Sequence, residues 1–156
     1  MPQVAVGEAA PDFTLRTQNN EEFTLSALRG DKAVLIIFYP LAFTGICTNE
    51  LHAVRDELDA FQNDRVQVVT ISVDSTYSQK IFGEREGFDF PLLSDFYPHG
   101  AVAQAYGVFN DEAGFADRGT FLVDVDGIVR WTEHNGPGEG RNPEAWKDQI
   151  AELLAT

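Results

Sequence analysis

The chain carries one thiol, Cys47, within Pro40-Leu-Ala-Phe-Thr44-Gly-Ile-Cys47-Thr-Asn-Glu50. A free cysteine is most often a buried small hydrophobe, and less often a nucleophile. The spacing points to the second role. Thr44 is an N-cap type of residue, which puts Cys47 near the third helical position. There it meets the unpaired amides of the first turn and the positive end of the helix dipole. A thiolate in that place is a nucleophile. The helix end does not suffice by itself. An ordinary thiol is only about 3% ionised at neutral pH, and shifting its ionisation by two pH units takes ~2.7 kcal/mol. A helix end supplies ~0.3–1 kcal/mol. A guanidinium in a dry pocket must supply the remainder.

The elements that position this thiol are legible from patterning. Lys32–Pro40 is continuously apolar and β-branched, the signature of a strand buried on both faces, and Pro40 stops it. In open α/β sheets, ligands sit beyond the carboxyl ends of strands, which is where Cys47 stands. Leu51, Val54, Leu58 and Phe61 recur at helical spacing and predict one amphipathic helix of about 15 residues. Val66–Val73 reads as a second central strand. Asp74 or Ser75 can cap a helix that runs through Glu86 to Gly87. Phe90–Ser94 is a short strand and His99–Tyr106 a short helix. Gly119–Asp124 and Ile128–Thr132 flank Asp126-Gly127, a hairpin signal. Asn135–Asn142 is a loop, and Asn142 with Pro143 opens a last helix whose apolar face is Trp146, Ile150, Leu153 and Leu154. Near the N-terminus, Pro11–Leu15 and Glu22–Leu25 form a hairpin. Strands alternating with helices predict an α/β fold with a mixed central sheet covered by helices on both faces.

Length and charge bound the rest. A chain of 156 residues fits a single domain, residues 1–156. Its 44% apolar and 12% aromatic content excludes disorder. Eleven basic against 25 acidic residues give a net charge of −14, which excludes a nucleic-acid partner by long-range repulsion. MPQVAVGEAAPDF has no basic n-region, and the longest apolar run is far below the ~20 residues of a membrane span. A cytoplasmic protein is expected, and a lone thiol suits a reducing compartment. His52, His99 and His134 lack zinc-like spacing, and His52 lies about 140° around the helix from Cys47, so neither a metal nor a Cys–His pair is expected.

At these residues the sequence resembles the peroxiredoxins. The family's P-x-x-x-T-x-x-C signature stands as Pro40, Thr44 and Cys47, and Arg118-Gly-Thr-Phe-Leu-Val-Asp124 looks like the late strand that begins with the family's catalytic arginine. Pro11-Asp-Phe, Phe90-Pro-Leu-Leu-Ser-Asp95 and Tyr106-Gly-Val108 also fit, so the likeness covers nearly the whole chain. Pro-Leu-Ala-Phe-Thr-Gly-Ile-Cys and Ser94–Val102 most resemble the one-cysteine, alkyl hydroperoxide reductase E group. The resemblance implies a thioredoxin-like fold. It implies reduction of hydrogen peroxide, organic hydroperoxides and peroxynitrite through a sulfenic acid on Cys47, with no cofactor.

By the same resemblance, Thr44 holds the peroxide, Arg118 stabilises the thiolate and the departing alkoxide, and Pro40 excludes water. Glu50 braces the arginine, and Arg141 matches a second family arginine. Read as bare residues, Arg118 is a solvated strand end, Pro40 a strand stop and Glu50 a surface acid. No resolving cysteine exists, so recycling falls to an external thiol, with mycothiol and mycoredoxin or thioredoxin as candidates. A homodimer or larger assembly is implied. Two other functions compete. A thiol–disulfide oxidoreductase needs C-x-x-C, and Thr44 occupies the first position. A redox sensor or dimerising adaptor would oxidise once and stop.

Overall fold

The computed structural model describes residues 2–156. In chain order the elements are β1 (Thr14–Arg16), β2 (Glu22–Thr24), β3 (Ala33–Phe38), α1 (Gly45–Asp56), α2 (Leu58–Phe61), β4 (Val66–Ser72) and α3 (Thr76–Glu86). There follow β5 (Leu92–Ser94), α4 (Ala101–Ala105), β6 (Phe109–Asn110), β7 (Phe115–Ala116), β8 (Arg118–Val123), β9 (Val129–Asn135) and α5 (Pro143–Leu154).

The continuous apolar run becomes the central strand. All six residues of β3 are buried: β4 and β8 pair with its two edges, and a packed layer covers each face. β4 is parallel, from Ala33 opposite Val66 to Phe38 opposite Ile71. β8 is antiparallel, from Val34 opposite Val123 to Ile37 opposite Thr120. One mixed seven-stranded sheet results, in the order β2-β1-β5-β4-β3-β8-β9. Residue parity then divides the core. Val34, Ile36 and Phe38 face a layer built with Val102, Ala103 and Tyr106 of α4 and its end. Ala33, Leu35, Ile37 and Tyr39 face the layer carried by α1, α2, α3 and α5 through Leu51, Val54, Phe61, Phe82, Trp146 and Ile150. This is the thioredoxin-like arrangement, with the N-terminal hairpin β1–β2 added beside β5.

Local punctuation is as expected at several ends. The Ser75 hydroxyl accepts from the Ser78 amide at 3.2 Å, and α3 closes on Gly87 at φ +71°. The Asn142 side chain accepts from the Glu144 amide at 3.1 Å, with Pro143 as the first helical residue. In the β8–β9 turn Gly127 has φ +83°, and a Cβ there would lie 2.7 Å from Arg29 Nε.

Four features differ from expectation. The long helix breaks at Glu57 (φ −130°, ψ 43°) into α1 and α2. Apolar spacing could not register the break, because Leu58 and Phe61 keep facing the same core layer beyond it. Helix α4 starts only at Ala101, because Gly100 is left-handed (φ +70°) and the buried Asp95 carboxylate accepts from the Val102 and Ala103 amides at 3.0 and 2.9 Å. The hairpin β6–β7, two residues in each strand, carries no periodic signal in the sequence. Strand β9 reaches Asn135, since every residue of β8 back to Arg118 needs a partner.

Candidate active site

The site is built at the carboxyl end of β3. The Tyr39 amide still bonds to the Ile71 carbonyl at 3.0 Å, and buried Pro40 then ends the strand. The loop turns sharply at Phe43, whose φ of +67° is unusual for a bulky residue. Thr44 is the N-cap by position, so Gly45, Ile46 and Cys47 are the first three helical residues, as the spacing required. Its hydroxyl, however, does not cap the helix. It is turned back and donates to the Leu41 carbonyl at 2.8 Å. The first-turn amides near Cys47 therefore receive no acceptor from Thr44 and keep their pull on an anion.

Arg118 arrives by sheet topology. Because β8 runs antiparallel to β3, the register Ile37–Thr120 continued by two residues sets Arg118 level with Tyr39, on the α1 side of the sheet. Its Nη1 donates to Cys47 Sγ at 3.3 Å and to Glu50 Oε1 at 2.8 Å. Its Nε donates to the Pro137 carbonyl at 2.8 Å, which fixes the plane of the guanidinium. Opposite unit charges at that N–S separation attract by about 5 kcal/mol at an effective dielectric near 20. That gross attraction exceeds the remainder of about 2 kcal/mol that the helix end leaves to be supplied.

Glu50 and Arg141 complete a closed cluster. Cys47 is 0% exposed, Arg118 3%, Glu50 4% and Arg141 7%. Glu50 Oε2 accepts from the Arg141 main-chain amide and Nε at 2.8 and 3.0 Å, and Oε1 accepts from Arg141 Nη2 at 2.8 Å. Arg141 Nη1 also donates to the Gly119 carbonyl at 3.0 Å and to Thr120 Oγ1 at 2.9 Å, while its guanidinium lies 5.4 Å from the Trp146 ring. One carboxylate and two guanidiniums leave one net positive charge. A thiolate on Cys47 brings the sum to zero, so the cluster favours the anion. Glu50 is thus not a surface acid and Arg118 not a solvated strand end. Replacing Glu50 by Gln strands two buried guanidiniums, and the expected loss of stability is ~3–5 kcal/mol by urea denaturation. An unchanged midpoint would show that the arginines hold their places without the carboxylate.

The histidines lie elsewhere and apart. His52 bonds to Glu86 of α3 at 2.5 Å, His99 to the Gly114 carbonyl at 2.7 Å, and His134 to Asp117 and Gln3, each at 2.9 Å. By sequence Asp74 is a cap candidate for α3. Ser75 takes that role, and Asp74 instead accepts from the Ala42 amide of the site loop at 2.9 Å. Its place at the carboxyl end of β4, next to β3, was the available signal.

A model of the AhpC/TSA family matches residues 6–132. The chain is 55% identical over 150 residues to alkyl hydroperoxide reductase E of Mycobacterium tuberculosis, covering 96% of this chain and 98% of that one. It is 39% identical over 157 residues to the selenocysteine-containing peroxiredoxin PrxU of Peptoclostridium acidaminophilum, covering 94% of this chain and 76% of that one. Among solved structures it matches the reduced 2-Cys peroxiredoxin of Plasmodium vivax with a TM-score of 0.87 and 30% identity, over 97% of this chain and 83% of that one.

Proposed function

Because the chain belongs to the AhpC/TSA family and is a thiol-dependent peroxidase of the peroxiredoxin type, we propose that Cys47 is its peroxidatic nucleophile, working within one domain that spans residues 1–156. The observation that carries this reading is Arg118 Nη1 at 3.3 Å from Cys47 Sγ inside a buried, charge-balanced cluster. The thiolate attacks the terminal oxygen of a hydroperoxide. An S–O bond forms and the O–O bond breaks, the sulfur is oxidised to a sulfenic acid, and the alkoxide leaves and takes up a proton. Arg118 and the Cys47 amide stabilise the negative charge as it moves from sulfur to the departing oxygen. The Thr44 hydroxyl, its proton already committed to Leu41, offers an oxygen that accepts from the peroxide O–H. Pro40 keeps water off the reacting atoms. Glu50 and Arg141 hold the guanidinium in place without touching the peroxide.

Hydrogen peroxide, organic hydroperoxides and peroxynitrite are the proposed substrates, and water, alcohol or nitrite the products. Cys47 is the chain's only thiol, so the sulfenic acid must condense with an external thiol, losing water and leaving a mixed disulfide that a second thiol reduces. Mycothiol with mycoredoxin, or thioredoxin, are the candidate donors. The buried sulfur requires the first turn of α1 to move for that attack. A homodimer or larger assembly is supported by exposed Phe43 and Ile46 beside the site. No described helix is long and apolar enough to cross a membrane, and a working free thiol suits the cytoplasm. Intact mass tests the cycle. One equivalent of hydroperoxide is expected to add one oxygen to the protein, and the physiological class of thiol to replace it with the thiol's mass less two hydrogens. Protein that gains no oxygen while peroxide disappears would contradict the scheme.

A further inference from the structure

Asp74 lies just beyond β4, outside the Glu50–Arg118–Arg141 cluster, and is tied to the loop that carries the site. Its Oδ2 accepts from the Ala42 amide at 2.9 Å and from the Ser72 hydroxyl at 2.6 Å. Its main-chain carbonyl accepts from the Ser94 hydroxyl at 2.6 Å. Ser72 Oγ accepts in turn from Gln79 Nε2 at 3.0 Å, and Gln79 Oε1 accepts from the Tyr39 hydroxyl at 2.5 Å. Gln79 Nε2 also donates to the Leu93 carbonyl at 3.0 Å. Tyr39, Ser72 and Gln79 are buried, and burial pushes the Tyr39 hydroxyl far above the usual tyrosine range, so it remains a donor. The chain of hydrogen bonds thus leaves the site strand at Tyr39, crosses α3 and β4, and returns to the site loop at Ala42.

Pro40 and Leu41 are held between those two anchors. Phe43, the residue after Ala42, adopts the left-handed φ of +67°, a conformation that persists only where the surroundings impose it. Thr44 follows at once. The Ala42 N–H to Asp74 bond fixes the peptide on the entry side of that turn, and with it the direction in which Thr44 leaves.

We propose that Asp74 is a positioning residue for peroxide reduction: through Ala42 it sets the loop that presents Pro40 and Thr44 to the sulfur, and it takes no part in ionising Cys47. The inference rests on Cys47 being the nucleophile. It separates two properties of the thiol. Reaction with peroxide needs the thiolate and the alignment of Pro40 and Thr44, whereas alkylation by iodoacetamide needs the thiolate and access to the buried sulfur but not that alignment.

The test measures both rates on the full chain. Asp74→Ala is expected to slow oxidation by hydrogen peroxide about 10-fold or more, since small misplacements of aligning groups have effects of that size. Its alkylation rate should not fall, because the charges at the sulfur are untouched and a freer loop does not close access to it. Asp74→Asn retains an oxygen that can accept from Ala42 and should recover the peroxide rate to within about threefold. Should Asp74→Ala not fold, Asp74→Glu, which keeps the charge and displaces the oxygens by a methylene, must show the same split. Peroxide and alkylation rates that fall by the same factor, an unchanged peroxide rate, or an Asn variant as slow as the Ala variant would each overturn the proposal. Wild-type protein whose thiol ignores peroxide would sink the nucleophile assignment itself, a different result from a reactive wild type matched by Asp74→Ala.

Discussion

Cys47→Ser is expected to lose peroxide turnover by a factor on the order of 10⁴–10⁶, the range reached when a covalent nucleophile is removed. A serine hydroxyl is not ionised near neutral pH and cannot use the positive charge collected around it. The substitution is small and keeps the helix position, so the fold should survive. The same three elements that favour a thiolate, the first turn of α1, Arg118 and the net positive balance of Glu50, Arg118 and Arg141, would then surround a neutral group. The measurement is hydroperoxide consumption with excess external thiol, followed for wild type and variant. A serine variant that still clears peroxide at the wild-type rate would remove Cys47 from the chemistry. Sustained turnover by the wild type also distinguishes a peroxidase from a sensor, which would consume one equivalent and stop.

Arg118→Ala should slow the oxidation of Cys47 by about 10²–10³-fold, comparable to removing a donor aimed at developing charge. Two effects add. The ground-state thiolate loses the cation 3.3 Å away, and the departing alkoxide loses its nearest fixed donor. Glu50 remains buried and held by Arg141, so the vacated space lies beside a carboxylate, which repels the thiolate further. Alkylation by iodoacetamide should therefore slow as well. Arg118→Lys should recover little. An ammonium can meet one partner well, but the planar guanidinium meets Cys47, Glu50 and the Pro137 carbonyl together. Rates unchanged in Arg118→Ala would take the guanidinium out of the mechanism. Slowed alkylation also separates this variant from Asp74→Ala, whose alkylation is expected to hold.

Much of the fold was legible in local patterning. The apolar run Ala33–Phe38 announced a central strand because burial on both faces leaves no polar positions. Ser75, Gly87, Asn142 and Gly127 marked element ends because caps and turns demand particular side chains or a positive φ. The break at Glu57 and the β6–β7 hairpin were not legible, since neither changes which residues face the core in a periodic way.

The place of Cys47 near the third position of a helix just past a buried strand is readable from the chain alone, because both facts depend on residues within a few positions of each other. What surrounds the sulfur is not readable that way. Arg118 is 71 residues away along the chain, and Arg141 is 91 from Glu50. The antiparallel register of β8 against β3 brings the first to the thiol, and the loop before α5 brings the second to the carboxylate. Burial then decides their role: a lone acid or arginine belongs in water, and only together, out of water, do Glu50, Arg118 and Arg141 leave the one uncompensated positive charge that a thiolate answers.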